Sequence, residues 1–552
     1  MDHRDSRSFS AMSGKQAAMQ ISRRSLVTTA GKLGLLAAVF PTALSRVQMS
    51  AAQTPGGEIT IMRALDALSL HPGVNAGLSD IATNFLVYDA LVIKDFEGNV
   101  QPALAESWET SEDGTVWTFH LRQDITFHSG EPFTSAHVVD HFTRWLEMPT
   151  ASKLATLDSF EAPDDYTVVF TLKGPNLVFL NNISQTEWAY ASIPNMNKVA
   201  ELGDDYGVVE VDGTGPYILE EWVKDDHMTL IRNENYRLGT PVYENAGPAF
   251  PERVTFQVVP EAATRTNLME TGDADMNIDT APRDVERVSS LPGMTVDSFS
   301  RISSNNIGFN FQKPLFQDKN VRQAINKALR RDEITQFIMM GQADPAEGYL
   351  HPEVQGALPR EETAPYLAYD PDAAKQLLAD SGWAMGDGDL LHKDGNPLSF
   401  TTYVSTEEAE QICQVVQAQL KEIGVDMQVR RLDSAAFSEA TQAGEHDARF
   451  TPMIYTTADH MYFYETKAIP SPNNLFYSNP AFDELFAKSQ STVDQAEQLQ
   501  IFGEMEKFVL EEAIVVPIQH VRWIFTRDER VQGMRYHNIH GVYKMMDTYV
   551  EG

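Results

Sequence analysis

The chain has 552 residues, 42% hydrophobic and 22% charged, which is too long for one ordinary domain and apolar enough for two or three globular lobes. Its 78 acidic side chains outnumber 43 Lys and Arg, and the resulting formal charge of −35 repels phosphate backbones and anionic headgroups, arguing against nucleic-acid or membrane-surface binding. Beyond residue 50 no apolar run approaches the roughly 20 residues that span a bilayer, so no direct membrane insertion is expected.

Residues 1–52 read as an export segment. Arg23 and Arg24 precede a weakly apolar stretch at 33–40 that is too short to span, and small residues follow near Ser50-Ala51-Ala52, the pattern of a twin-arginine-type signal. Its removal takes Arg4, Arg7, Lys15, Arg23, Arg24, Lys32 and Arg46 but only Asp2 and Asp5, so the mature chain is more acidic still. Such acidity favours cationic solutes and serves equally as a salt-adapted solubility device. No cysteine follows the signal until Cys413, so a lipid anchor on an N-terminal cysteine is not expected and a periplasmic location is.

After a first strand over 57–63, residues 104–145 hold the most explicit local pattern. Trp117, Phe119 and Leu121 alternate with Thr118, His120 and Arg122, which gives a strand with one apolar side. Glu112-Asp113-Gly114 turns the chain before it, and Ser129-Gly130 after it. Thr134 or Ser135 then starts a helix reaching about Leu146. His137 and His141 stand four apart on that helix and form the best metal-like pair, but with no third ligand at suitable spacing they read as solvated positions opposite the Val138, Phe142 and Trp145 face.

Further strands are expected over 167–172, 253–259 and 424–432, and helices over 318–329, 371–379 and 407–423. Asp370-Pro371 is a helix start, and Gly382 a stop. Cys413, the single cysteine, falls in the helical pattern Ile412, Val415, Val416, Leu420 and reads as a buried apolar side chain. Near 453–460 an apolar run ends in small polar residues and then Asp459, as where a strand delivers a loop into a cleft. Asp459 is the first choice for a ligand contact, the other reading being a turn cap. Tyr455, Tyr462, Phe463 and Tyr464 offer flat walls, a cation–π surface, or core packing. Strands mixed with helices throughout indicate α/β lobes with sheets flanked by helices. The chain has no GxSxG, no GxGxxG opening a helix, no phosphate loop and no HExxH, so an enzyme is not expected.

The string LAESWETSEDGTVWTFHLRQDITFHSGEPFTSAHVV closely resembles the signature of the extracytoplasmic solute-binding proteins of ABC importers, family 5, which take peptides, nickel and opines. It departs from the family mainly at Ser135-Ala136-His137. Further matches are SLHP at 69–72, YDALV at 88–92, GTGPY at 213–217, RNENY at 232–236, ETGDADM at 270–276, VRQAINKAL at 321–329 and YDPDAAKQLLADSGW at 369–383. The resemblance implies an α/β, two-lobed, hinged periplasmic-binding-protein fold with an additional domain. Lobe I would be assembled from 53–95, 213–300 and 519–552, the additional domain from 96–212, and lobe II from 301–518. It also implies a monomer that delivers a peptide or amine-bearing solute to ABC permease subunits, without cofactor, bound metal or catalysis. A metal chelate of the nickel type or an opine is the alternative, and a secreted hydrolase a remote one.

In peptide-binding relatives, the residue matching Asp459 meets the ligand's α-ammonium, so Asp459 with Thr457 and Tyr455 is the implied core of the site. Main-chain contacts from Asp66, Ala67 and Leu68 are implied by the family's use of that strand end. Where oligopeptide binders carry basic residues, Met453 and Glu408 stand here; where nickel-chelate binders carry an arginine, Glu187 and Tyr190 do. Losing the arginine fork and adding carboxylates points to a neutral or cationic ligand.

Overall fold

Two long strands, Met294–Phe309 and Val515–Asp528, lie antiparallel side by side, and the rest of the main sheet is built outward from this pair. A computed structural model describes residues 56–73, 78–148, 151, 154–176, 178–185, 189–386, 388–454, 457–492, 494–542 and 544–551. The export segment expected at 1–52, Tyr455 and Glu187 lie outside the described residues.

The strands of the main sheet are β1 (Glu58–Arg63), β2 (Tyr217–Val223), β3 (His227–Arg232), β4 (Arg253–Val258), β5 (Met276–Asn277), β6 (Met294–Phe309), β7 (Ala343–Pro345), β8 (Ser399–Val404), β9 (Asp426–Arg431), β10 (Ala448–Ile454) and β11 (Val515–Asp528). Their spatial order is β9-β8-β10-β6-β11-β5-β1-β4-β3-β2, and β7 also pairs with β11. Parallel pairing of β1 with β4 and β5 on one side, and of β8 with β9 and β10 on the other, makes each half a mixed sheet. β6 pairs with β11 from Met294↔Asp528 to Ser300↔Arg522, loses register over 301–303, and resumes at Ser304↔His520. Past that break β6 is buried at every position, because apolar layers cover both faces: Val516 joins one core with Ile307, Phe309 and Val416, and its neighbour Val515 the other with Tyr349, Tyr464 and Phe482.

The strand and helix expected near 104–145 form where the alternation placed them. Val116–Leu121 buries Trp117, Phe119 and Leu121 within a four-stranded antiparallel sheet. The helix Ser135–Trp145, here α1, is capped by Thr134 and packs Phe142 on Phe170 of that sheet, ring centroids 4.8 Å apart. One expectation is corrected here. His137 and His141 are buried, not solvated. The Thr134 N–H donates to His137 Nδ1 at 3.2 Å, while His141 Nε2 donates to the Tyr190 carbonyl at 2.9 Å and burial pushes its pKa down to about 4. A second layer around Tyr190 covers this flank of α1, so the buried arc is wider than the apolar stripe that the sequence displays.

Elsewhere the expected starts hold. Asp370 caps the helix Pro371–Asp380 through the Ala373 N–H at 2.9 Å. In the helix Glu407–Lys421 (α2) Cys413 is buried, and desolvation raises its thiol pKa, so it is a core side chain.

Distant segments of the first half meet at one buried ion pair. Lys544 Nζ spends its three donors on Asp89 Oδ1 at 2.5 Å and on the carbonyls of Phe85 and Tyr88 at 3.0 and 2.9 Å. Asp89 also accepts from Thr214 Oγ1 at 2.9 Å and from the Tyr236 hydroxyl at 3.3 Å. Gly213 and Gly215, which flank Thr214, run against Val87: a Cβ on either would come within 2.1 or 2.4 Å of its backbone.

Removing one partner of this pair leaves a charge without compensation in a dry site. Asp89→Asn is therefore expected to lower stability by about 3–5 kcal/mol in urea unfolding, and adding Lys544→Met to restore part of the loss. A second expectation concerns Glu506, which is fully buried and accepts from the Leu350 and Leu358 N–H groups at 2.9 and 2.7 Å. Burial raises its pKa from 4.5 to about 7. The native state then holds this proton longer than the unfolded chain does, so stability falls as pH rises between about 4.5 and 7, by up to about 3 kcal/mol. Glu506→Gln flattens that slope in unfolding measured across the same window.

Candidate functional site

The chain leaves β1 through a segment held by carboxylates. Asp66 accepts from Arg63 at 2.5 Å, from the Ala67 N–H at 2.8 Å, and from Trp222 Nε1 and the Asp225 N–H, both at 2.9 Å. Burial works to raise the Asp66 pKa, but the bonds from Asp225, Trp222 and Ala67 and the charge of Arg63 hold it below its ordinary value. Asp80 takes the Leu68 and Ser69 N–H groups at 2.6 and 3.1 Å, and Lys224 donates to the Ala67 carbonyl. The N–H groups of Ala67 and Leu68 and the Ala67 carbonyl are thus engaged internally. Leu68 itself is an exposed apolar side chain at 66%.

One residue earlier, the Ala64 N–H donates to Asp279 at 2.7 Å. Asp279 follows β5, on the same half as β1, and is one of two carboxylates whose charge reaches the Arg301 guanidinium. The other is Glu408, in the first turn of α2 on the opposite half. Arg301 opens the 301–303 register break of β6 and lies over the ring of Trp523 on β11, 4.4 Å from its centroid. Burial lowers its pKa to about 10, with Glu408 and Asp279 acting in the opposite direction, so it is a cation at neutral pH. Among the described residues it has no ion-pair or hydrogen-bond partner, and its buried Nε is unsatisfied, as is Nε1 of Trp523. Glu408 is exposed to water, yet the surrounding protein desolvates its carboxyl and raises its pKa, Arg301 acting against this.

The second cluster forms where β10 ends. Asp459 and Thr457 are buried at 7% and 9% exposure, and the Thr457 hydroxyl donates to the Asp459 carboxylate. Tyr462, half-buried one turn on, has its pKa raised by burial and then by the charge of Asp459 and by Tyr190, which stands beside α1. Tyr462 stacks on Phe463 with centroids 4.5 Å apart; Tyr464 turns into the core against Tyr349 and Phe482. The aromatic group therefore divides between wall and packing. Thr457 also lines a crevice of about 60 Å³ with Lys94, Glu97, Ile302, Glu353 and Asn538, residues drawn from both halves. In a larger cavity of about 700 Å³ beside the crossing strands, Arg360 of the lining pairs with Glu347, and Asp344 of the lining pairs with Arg522.

The structure thus gathers Asp459, Thr457, Tyr462 and Tyr190 in one cluster. Glu408 stands with Arg301, Asp279 and Trp523 in another, which reaches the 64–68 segment through Asp279. Arg301 and Trp523 were not anticipated from the sequence: Arg301 lies in the polar run SFSRISSNN with no motif, and only the crossing of β6 and β11 brings it onto Trp523. Among the described residues no group of three or more His, Cys, Asp or Glu is arranged to hold a metal ion, and no helix is long and apolar enough to cross a membrane.

Residues 99–474 match the family described as bacterial extracellular solute-binding proteins, family 5 Middle. The nickel-binding periplasmic protein of Escherichia coli (strain K12) is 26% identical over 465 residues, covering 79% of this chain and 84% of that protein. The oligopeptide-binding protein AppA of Bacillus subtilis (strain 168) is 26% identical over 475 residues, covering 83% and 85%. Among solved structures, NikA from Brucella suis in complex with Fe(III)-EDTA superposes with a TM-score of 0.77 at 21% identity, covering 90% of this chain and all of that one, which shows a shared fold.

Proposed function

The chain belongs to the bacterial extracellular solute-binding proteins of family 5, and on that premise we propose that it is the capture component of an ABC importer for a peptide or related amine-bearing solute. The observation that carries this reading is the Asp459 carboxylate. It is almost removed from water, it accepts from the Thr457 hydroxyl, and its charge is felt by Tyr462. A carboxylate so desolvated gains strongly from an ammonium brought to it, and charge-assisted bonds of this kind are about twice as strong as neutral ones. Glu408, in place of a basic residue, adds to the preference for a neutral or cationic ligand; Tyr455, Glu187, Ala67 and Leu68 complete the proposed set.

In this reading lobe I comprises 53–95, 213–300 and 519–552, the additional domain 96–212, and lobe II 301–518. The lobe boundary at 300 is supported by the break in β6–β11 register at 301–303. A solute entering the cleft shifts the population toward a closed form by contacting both lobes, and the permease reads that form. The solute leaves unaltered, so no covalent step is invoked. Residues 1–52 direct export, and the mature chain works in the periplasm as a monomer.

A second reading, capture of a chelated metal, is favoured by the nickel-binding relative. The metal would arrive inside its chelate, since the described residues offer no ligand set of their own. A thermal-shift series of peptides, polyamines, opines and nickel–histidine complexes separates the two, because a ligand bound only by the native state raises its melting temperature by mass action. The amine reading expects the largest shift from an amine-bearing compound. It further expects Asp459→Asn to weaken that compound by about 10- to 100-fold in calorimetric titration while leaving its N-acetylated form, already weak, unchanged. Equal affinity of the parent protein and Asp459→Asn for the amine would refute the assignment.

A further inference from the structure

A hollow of about 770 Å³ lies at the opposite end of α2 from Glu408, and the helix rises about 20 Å between the two places. Its walls are the helix Pro371–Asp380, the last turn of α2, and a small antiparallel sheet that begins with Ala384–Met385 and Leu391–Lys393. Backbone bonds fix these walls: the Trp383 N–H donates to the Leu378 carbonyl at 3.0 Å, and the Leu391 N–H to that of Gly424 at 2.9 Å. The base is apolar. Leu391 and Ile423 are buried, Trp383 is half-buried above them, and Met385 stands 67% exposed. The rim is cationic. Lys375 and Lys421 line it, and Lys393 Nζ stands 6.0 Å from the centroid of Trp383. None of the three ammoniums has an ion-pair or hydrogen-bond partner among the described residues. Of the carboxylates in the lining, Glu422 is held in a fork by Arg330 at 2.7 and 2.9 Å, which leaves Asp389. In a chain with 78 acidic side chains against 43 Lys and Arg, a group of uncommitted lysines round an apolar hollow runs against the general field.

We propose that this hollow is a second binding site, separate from the cleft, for a free anionic amphiphile: a carboxylate on a medium-length, unbranched aliphatic tail. Covering apolar surface is favourable in proportion to the area removed from water, and a tail laid along Trp383, Met385 and Leu391 covers it. Met385 is unbranched and polarizable, so it adapts to such a tail. The lysine stems lengthen the apolar wall while their heads stay in water, where a carboxylate meets them. Ammoniums act as point charges and offer no planar fork, so the site selects by sign of charge and by tail, with little demand on the geometry of the head. The volume falls within the range of about 300–1,000 Å³ typical of small-molecule sites. Docking of this face on an anionic bilayer is opposed by the negative charge of the whole chain, so the occupant is a single free molecule.

The probes are dodecanoate and dodecyltrimethylammonium, which share a tail and oppose each other in charge, titrated calorimetrically below their micelle concentrations. Non-specific adsorption on so acidic a chain favours the cation. The parent protein is expected instead to prefer dodecanoate by about 10-fold or more, and the double variant Lys375→Gln, Lys421→Gln to lose that preference. Shortening the tail to decanoate and octanoate weakens binding by about two- to fourfold per methylene. Ala418→Trp, at an exposed position of α2, fills the hollow and is expected to abolish binding while circular dichroism shows an intact fold. 11-Bromoundecanoate, whose bromine quenches an indole only at contact, dims the fluorescence of the parent and not of Trp383→Phe; this result and the lysine pair decide if Ala418→Trp unfolds. A parent that binds neither amphiphile or prefers the cation overturns the proposal, as does dodecanoate affinity that survives in a folded Ala418→Trp, or quenching that survives in Trp383→Phe. A parent found dimeric in sedimentation and monomeric as Ala418→Trp also overturns it, by assigning the hollow to a second copy of the chain.

Discussion

Lys544 and Asp89 hold together parts of the first half that are hundreds of residues apart in the chain. The ammonium has no solvent exposure, and burial lowers its pKa while Asp89 acts to raise it. Desolvating two charges costs about as much as their attraction returns, so the pair adds little net stability when intact. Its effect is on specificity. All three ammonium donors and both oxygens of the carboxylate have partners, and apart from the Phe85 carbonyl the partners of the pair come from YDALV, GTGPY and RNENY. A chain that misplaced YDALV would leave the Lys544 charge unpaired, and one that misplaced either of the others would take a hydroxyl donor from the buried carboxylate. These otherwise unrelated motifs therefore describe one polar knot, with Gly213 and Gly215 giving the close approach to Val87 that brings Thr214 within reach.

From that knot the fold extends through two strands. β6 and β11 are shared by both halves of the main sheet, and their ladder breaks at residues 301–303 and shifts again between Asn305 and Asn306. Ile302 is held there by the Asn538 carbonyl at 2.9 Å and Asn538 bonds Glu353 at 2.8 Å, so the C-terminal segment clasps the break from one side. A local loss of register between two well-packed halves concentrates backbone freedom at a few residues, as a hinge requires.

The charges of the candidate site follow a division of labour. Carboxylates that shape the 64–68 segment, Asp66 and Asp80, are saturated by backbone and side-chain donors. Glu408 and Arg301 have no hydrogen-bonded or ion-paired partner among the described residues and interact only at longer range. In a chain this acidic, the count of carboxylates carries little information about the ligand; which of them are already satisfied carries much more. Asp459 is nearly buried and accepts from the hydroxyl of Thr457.

Much of this was legible in the sequence because it is local. Period-two alternation at Trp117, Phe119 and Leu121, caps at Thr134 and Asp370, and the helical spacing around Cys413 depend on neighbours a few residues away, and those elements formed within one or two residues of expectation. Asp459 was legible as a carboxylate at the exit of a strand. Burial of His137 and His141 was not, since it depends on a layer near Tyr190 that arrives some fifty residues later. Nor was the pairing of Arg301 with Trp523, or the knot at Lys544, because each joins segments whose proximity is set by strand order and register. The amino-acid sequence by itself determined the elements, the family and the acidic character of the chain, all of which are sums or short-range patterns. Only the tertiary structure decided which polar groups are satisfied and which stand open to a ligand, because satisfaction is a property of partners, and partners are chosen by the fold.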